Sequence, residues 1–188
     1  MQTSGANGFG FRQAAVFCAL VGVAIASRLV QELIPAIPPN FAAVAAAGMF
    51  AGYYFRSRLV AALVPLVAMT ISDRLIGGYE GEVMAVVYAA LTLPVLMRGM
   101  FARSQGPARV MSAALVSSTV FYAMTNLAVW HCYYEPTAAE FVRCYTVALP
   151  FAVYTIAGDM LYSLGLFGLH RVAVTSGTKS CLAPAVAS

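Results

Sequence analysis

The sequence predicts an all-α fold: a single polytopic membrane bundle of six transmembrane helices with both termini cytoplasmic. Three observations carry that prediction. Of 188 residues, 61% are hydrophobic and only 10% are charged, more apolar surface than a soluble domain of this size can hide from water. The apolar residues fall into six segments separated by clusters of charge, Pro and Gly, which mark backbone that prefers water or headgroups to lipid. The basic residues are unevenly shared between the two sets of connecting loops. A span needs roughly 20 residues of helix, so the chain has room for the bundle and for no sizeable soluble domain.

The first segment runs from about Arg12 to Ile34 and stops at Pro35, Pro38 and Pro39, because proline removes amide donors and disfavours helix in the residue before it. Asn40 is the expected cap of the second, Phe41 to Phe55, which ends at Arg56 and Arg58. The third is apolar from Leu59 to Ser72, meets Asp73 and Arg74, and closes at Gly77 and Gly78. Its apolar part covers only about 21 Å of a roughly 30 Å core, so it must continue past its first charges. The fourth covers about Glu82 to Met97, the fifth Ala108 to Trp130, and the sixth Phe141 to Leu169. Residues 1–11 and 172–188 read as flexible ends flanking a transmembrane domain of residues 12–171.

Eight of the eleven Lys and Arg residues lie at the N-terminus, the second-to-third and fourth-to-fifth loops and the tail; Arg28, Arg74 and Arg143 lie on the other side with six of the seven acids. Cytoplasmic loops are enriched in Lys and Arg, which places both termini inside. A net charge of +4, dispersed as it is, makes no nucleic-acid footprint; the partner it implies is the lipid bilayer. A cleaved signal peptide is the rival reading of the first segment, since Ala24-Ile25-Ala26 precedes Ser27.

Charged groups at membrane depth need a partner, a water-filled cavity or a place near the interface. Arg28, Asp73, Arg74 and Asp159 all require such an account. One reading is structural: Arg28 pairs with Asp73, and Asp159 bonds Thr155 or Ser163. The other is a polar, outward-facing ligand pocket in which these four are joined by Asn126, Trp130 and His131, with Tyr79, Tyr133, Tyr134 and Tyr145 at its mouth. Apolar walls with a few convergent polar groups suit a small molecule, and the presence of both signs suits a zwitterionic or heterocyclic one. Small residues repeat at four-residue spacing in the first helix, with Ala15 and Ala19 beside the stripe of Ala14, Cys18, Gly22 and Ala26, and again in the second with Ala43, Ala47 and Ala51 beside Gly48 and Gly52. Such stripes serve packing inside the bundle or docking of a partner helix.

Catalytic patterns such as HExxH or GxSxG are missing, so no enzyme is expected, and no cofactor. Cys18, Cys132, Cys144 and Cys181 are too far apart for a metal motif. Cys132 and Cys144 share the outer side, where a disulfide could form, or His131 and Cys132 could ligate a soft metal.

The order of motifs carries a resemblance. Arg28 ahead of a proline-rich turn, Pro38-Pro39-Asn40-Phe41, Pro65 before Ser72-Asp73, Thr125-Asn126 to Trp130, Cys144-Tyr145, Pro150-Phe151 and Gly158-Asp159 to Leu166-Phe167-Gly168 resemble an uncharacterised family of bacterial integral membrane proteins. That family is similar to the substrate-binding S components of energy-coupling-factor (ECF) vitamin transporters. The resemblance spans Arg28 to Gly168. It implies a multi-pass protein of the bacterial inner membrane, a vitamin-like ligand captured from outside, and a scaffold with ATPase subunits that docks on Ala15, Ala19 and Gly22 and drives uptake. The expected function is therefore substrate capture for such a transporter. The alternative is a structural or assembly subunit of a larger membrane complex, with no small-molecule ligand; a carrier driven by protons through Asp159 is a third.

Overall fold

The computed structural model describes residues 10–78, 81–101 and 105–181, with side chains described as far as Ser176. The described chain is all-helical: α1 (Phe11–Leu33), α2 (Val44–Tyr54), α3 (Arg58–Ile76), α4 (Gly81–Thr92) running on into a 3₁₀ segment (Leu93–Phe101), α5 (Pro107–Tyr133) and α6 (Ala138–Cys181). Five stretches are long and apolar enough to cross a membrane: Phe11–Leu33, Arg58–Ile76, Gly81–Phe101, Pro107–Tyr133 and Ala138–Ser176.

The second helix departs from the expectation of six equivalent spans. It has 11 residues, about 16 Å at 1.5 Å per residue, and cannot cross a roughly 30 Å core unaided. The chain that would have lengthened it is spent on the turn after α1. There Asn40 adopts φ 65°, a left-handed conformation that asparagine tolerates better than most residues. Asn40 is therefore a turn residue and not the cap. Helix α2 starts after Ala43, whose N–H is taken by the Ser27 hydroxyl of α1 at 2.9 Å.

Burial explains why so short a helix persists. Every residue from Val44 to Gly52 is buried, as expected of a helix that is apolar on all sides. The long helices surround it: α1, α3, the α4–3₁₀ unit, α5 and α6 all pack on α2, while the backbones of α1 and α6 make no close approach among the described residues. Ala43, Ala47, Ala51, Gly48 and Gly52 thus serve internal packing. At Gly52 a Cβ would collide with the backbone of Val95, so only glycine lets the two chains approach. The 3₁₀ segment that carries Val95 begins beside Pro94, where the missing amide and the ring clash disrupt α-helical bonding.

Contacts fix the helix directions. Phe17 of α1 meets Phe55 at the end of α2 with ring centroids 6.3 Å apart, while Ser27 meets Ala43 at its start, so α1 and α2 are antiparallel. Helix α6 runs parallel to α2, pairing Phe41 with Tyr162 and Phe50 with Phe167. One end of the bundle gathers basic residues, with Arg98 donating to the Arg56 carbonyl at 3.0 Å. An aromatic cluster of Phe50, Tyr53, Phe101, Phe167 and His170 lies towards that end. Helix α6 extends past Leu169 to Cys181, so the first ten residues assigned to a loose tail continue the helix. At 44 residues it is about 66 Å long and overreaches the hydrocarbon core.

Candidate functional site

The Ser57 hydroxyl caps α3 at its other end by accepting the Val60 N–H. From there the helix passes Pro65 and carries Met69, Thr70, Asp73 and Arg74 to the end where α1 finishes. Arg28 Nη2 and Asp73 Oδ1 are 2.6 Å apart, with side-chain exposures of 14% and 5%; the contact is ionic and lacks hydrogen-bond alignment. Arg28 Nη1 also donates to the Met69 sulfur. From α4, the Tyr88 hydroxyl donates to Asp73 Oδ2 at 2.9 Å. Three helices thus converge on one carboxylate, each supplying what its charge requires: a cation from α1, a neutral donor from α4, and the carboxylate from α3.

Asp73 and Tyr88 of this network line a cleft of about 420 Å³ together with Thr70, Arg74, Gly81, Met84 and Ala85. Arg74 is exposed on its wall. The cleft therefore presents the Asp73 carboxylate, a phenol, the Arg74 guanidinium and a thioether, a surface that can hold a small polar molecule bearing both signs.

The remaining candidates lie elsewhere, and the single hollow expected from the sequence is not what the helices build. His131 is exposed and lines a second cleft of about 310 Å³ between α4 and α5, with Glu82 and Cys132 at hand. Cys132 Sγ donates to Glu82 Oε2 at 3.5 Å. Asn126 turns back to donate to the Tyr122 carbonyl of its own helix at 2.8 Å. Trp130 sets its ring edge-on to Phe141 of α6 at 5.4 Å, and its buried Nε1 has no hydrogen-bond partner among the described residues. Asp159 is 3% exposed, with Oδ2 lying 2.6 Å from Ser118 Oγ of α5. The physical reason for the scatter is α5: its outer turns pack on α6 through the Tyr122 hydroxyl to the Tyr145 carbonyl and the Tyr145 hydroxyl to the Ala123 carbonyl. That pairing turns Asn126 and Trp130 away from α3 and fixes Tyr145 in an interhelical bond. Tyr79 lies outside the described residues, as do Glu80 and Arg103.

Cys132 is exposed and Cys144 is buried against the Asn126 carbonyl, and no disulfide joins the two. Among the described residues no group of three or more His, Cys, Asp or Glu could hold a metal ion. On α1, Ala15, Cys18, Ala19, Gly22 and Ala26 form an exposed face, and a Cβ at Gly22 would meet nothing within 4 Å. This first-helix stripe is presented outward, unlike that of α2. Sequence reasoning missed Tyr88, Ser118 and Glu82; a hydroxyl in the middle of an apolar helix, which needs a partner once buried, was the available signal for the first two.

Five apolar helices around a buried sixth, with an ion pair stitched between them, define an all-helical, multi-pass membrane protein. The chain belongs to a family of unknown function, DUF6580, which it matches over residues 10–181. No curated protein and no solved structure is detectably similar to it.

Proposed function

We propose that the chain is the substrate-capturing subunit of a micronutrient uptake system, of the S-component type, in a bacterial inner membrane. The observation that carries this reading is the Arg28–Asp73–Tyr88 network, whose Asp73 and Tyr88 line the cleft between α3 and α4. Helix α2, with the turn that leads into it, makes a sixth crossing, and the basic end of the bundle faces the cytoplasm by the distribution of Lys and Arg. The cleft then opens outward. Its ligand is small, vitamin-like and polar, held by Asp73, Arg74 and Tyr88. The motif order resembles an uncharacterised membrane family that is itself similar to the S components, which supports the same reading, and the exposed Ala15, Ala19 and Gly22 face of α1 is the docking surface for an ECF-type scaffold with its ATPases. The subunit itself performs no chemistry.

The test is mass spectrometry of small molecules that copurify with the protein from mildly solubilised membranes. A single compound enriched with the native chain and reduced at least tenfold in a folded Tyr88→Phe, Arg74→Ala variant supports capture. A protein that carries nothing, and whose fixed neighbour includes no ATPase, refutes it. That second outcome would favour an assembly subunit, a reading supported by the outward small-residue face and by an Arg28–Asp73 pair that satisfies itself.

A further inference from the structure

Asp159 sits deep in α6, sealed between helices and away from the cleft. Among the described residues nothing charged faces it. Helix α2 carries no charged residue between Val44 and Tyr54, and α5 carries none between Arg109 and His131. On α6 the nearest charges are Arg143 and Arg171, about 24 and 18 Å away along the axis. Several titratable groups on the packed elements are occupied: Tyr122 bonds the Tyr145 carbonyl, Tyr145 bonds the Ala123 carbonyl, Cys144 bonds the Asn126 carbonyl, Tyr162 packs at a tilt against Phe41, and Tyr53 bonds Gln105 near the basic end. Tyr54 and Tyr154 complete the tyrosines on α2 and α6. Arg28 belongs to α1, whose backbone makes no close approach to that of α6 among the described residues.

The one polar contact of Asp159 among the described residues has a proton count built into it. Ser118 Oγ lies 2.6 Å from Asp159 Oδ2 and 2.9 Å from the Ala114 carbonyl. A serine hydroxyl has a single hydrogen, and a carbonyl and an ionised carboxylate both only accept. Both contacts are hydrogen bonds if the carboxyl is the donor: Asp159 donates to Ser118 Oγ, and Ser118 donates to the Ala114 carbonyl. An ionised carboxylate held by one hydroxyl without a countercharge would be far more costly in this setting. A third hydroxyl stands by. Ser163, one turn further on the same face, is fully buried, and its Oγ has no hydrogen-bond partner among the described residues, whereas Thr155 on that face satisfies itself on the Phe151 carbonyl.

We propose that Asp159 is an exchangeable proton-binding site: it holds a proton in this structure, and Ser163 is the reserve donor that receives the carboxylate when the proton leaves. On release, the proton passes from Oδ2 to water admitted between α5 and α6. Ser118 then swings its hydrogen from the Ala114 carbonyl to the carboxylate, and Ser163 supplies a second hydrogen bond across one helical turn. This inference is independent of the ligand cleft and of whether the chain captures a substrate.

The chain contains only two aspartates, Asp73 and Asp159, so ¹³C-aspartate labelling makes infrared spectroscopy nearly site-specific. The full-length labelled protein in nanodiscs is expected to show an isotope-shifted protonated-carboxyl band at neutral pH. That band disappears reversibly as pH rises and is lost in Asp159→Asn. Ser163→Ala, which removes the reserve donor, moves the midpoint of disappearance up by about one pH unit. Absence of the band at neutral pH overturns the proposal, and the native protein alone delivers that result even if a variant fails to fold. A band that survives until the protein denatures overturns exchange. A band that disappears on adding sodium at constant pH assigns the site to a metal cation and overturns it as well.

Discussion

The two sides of the bundle bury the same side chain in opposite ways. On the α1–α3–α4 side, Asp73 keeps a guanidinium and a phenol within bonding distance and borders a cleft. On the α5–α6 side, Asp159 has one hydroxyl and no opening. Both carboxyl groups interrupt long apolar helices, yet their surroundings make one an anion with a matched cation and the other a site for a proton. What separates them is the neighbour available at each depth: α1 delivers a long Arg side chain near its end, while the middle of α5 offers only small hydroxyls. Partner chemistry, more than burial alone, decides what a buried acid becomes.

Removing the cation tests the first side most severely. Arg28→Ala leaves the Asp73 charge buried and unpaired, and unfolding in detergent is expected to show a loss of about 3–5 kcal/mol. Adding Asp73→Asn should return at least half of it in a double-mutant cycle. A single variant as stable as the native protein would remove the distinction between the two sides. On the second side, Ser118→Ala takes away the hydroxyl partner of Asp159, and the expected loss is about 1–3 kcal/mol. The same measurement sharpens the contrast with Tyr88→Phe. There the expected loss is about 1 kcal/mol, because water in the cleft can replace the phenol. Smallest of all is Asp159→Asn, expected to cost less than about 1 kcal/mol, since the amide still donates to Ser118. A clear gain in stability instead would mean that Asp159 is ionised in the native protein, because the neutral amide would then remove an unpaired buried charge, and the comparison would reverse.

Particular residues show how far the sequence could be read. The Arg28–Asp73 pairing was legible because two opposite charges at similar depth on apolar helices have few other ways to be satisfied. The positions of α1, α3, α4 and α5 followed from apolar runs cut by Pro, Gly and charge. The shortness of α2 did not, since an alanine-rich run after a proline turn reads as a span whether it is wrapped by other helices or faces lipid. Nor did the separation of Asn126, Trp130 and Asp159 from the cleft. Hydropathy specifies that a residue lies on a helix at a given height, but the rotation of α5 towards α6 comes from Tyr122 and Tyr145 reaching across to one another's backbone.

Composition and the spacing of charges determined by themselves that this chain is a multi-pass helical membrane protein with a basic and an acidic end. Those properties depend on transfer between water and lipid, which acts residue by residue along the chain. The tertiary structure alone decided that α2 is the hub, that the α1 stripe faces outward while the α2 stripe is consumed within, and that Arg28, Asp73 and Tyr88 meet whereas Asp159 stays apart. Those outcomes depend on how helices rotate and pack against one another. Once the whole chain is apolar, lipid and protein neighbours are nearly equivalent to hydropathy, and only shape and hydrogen bonding can tell them apart.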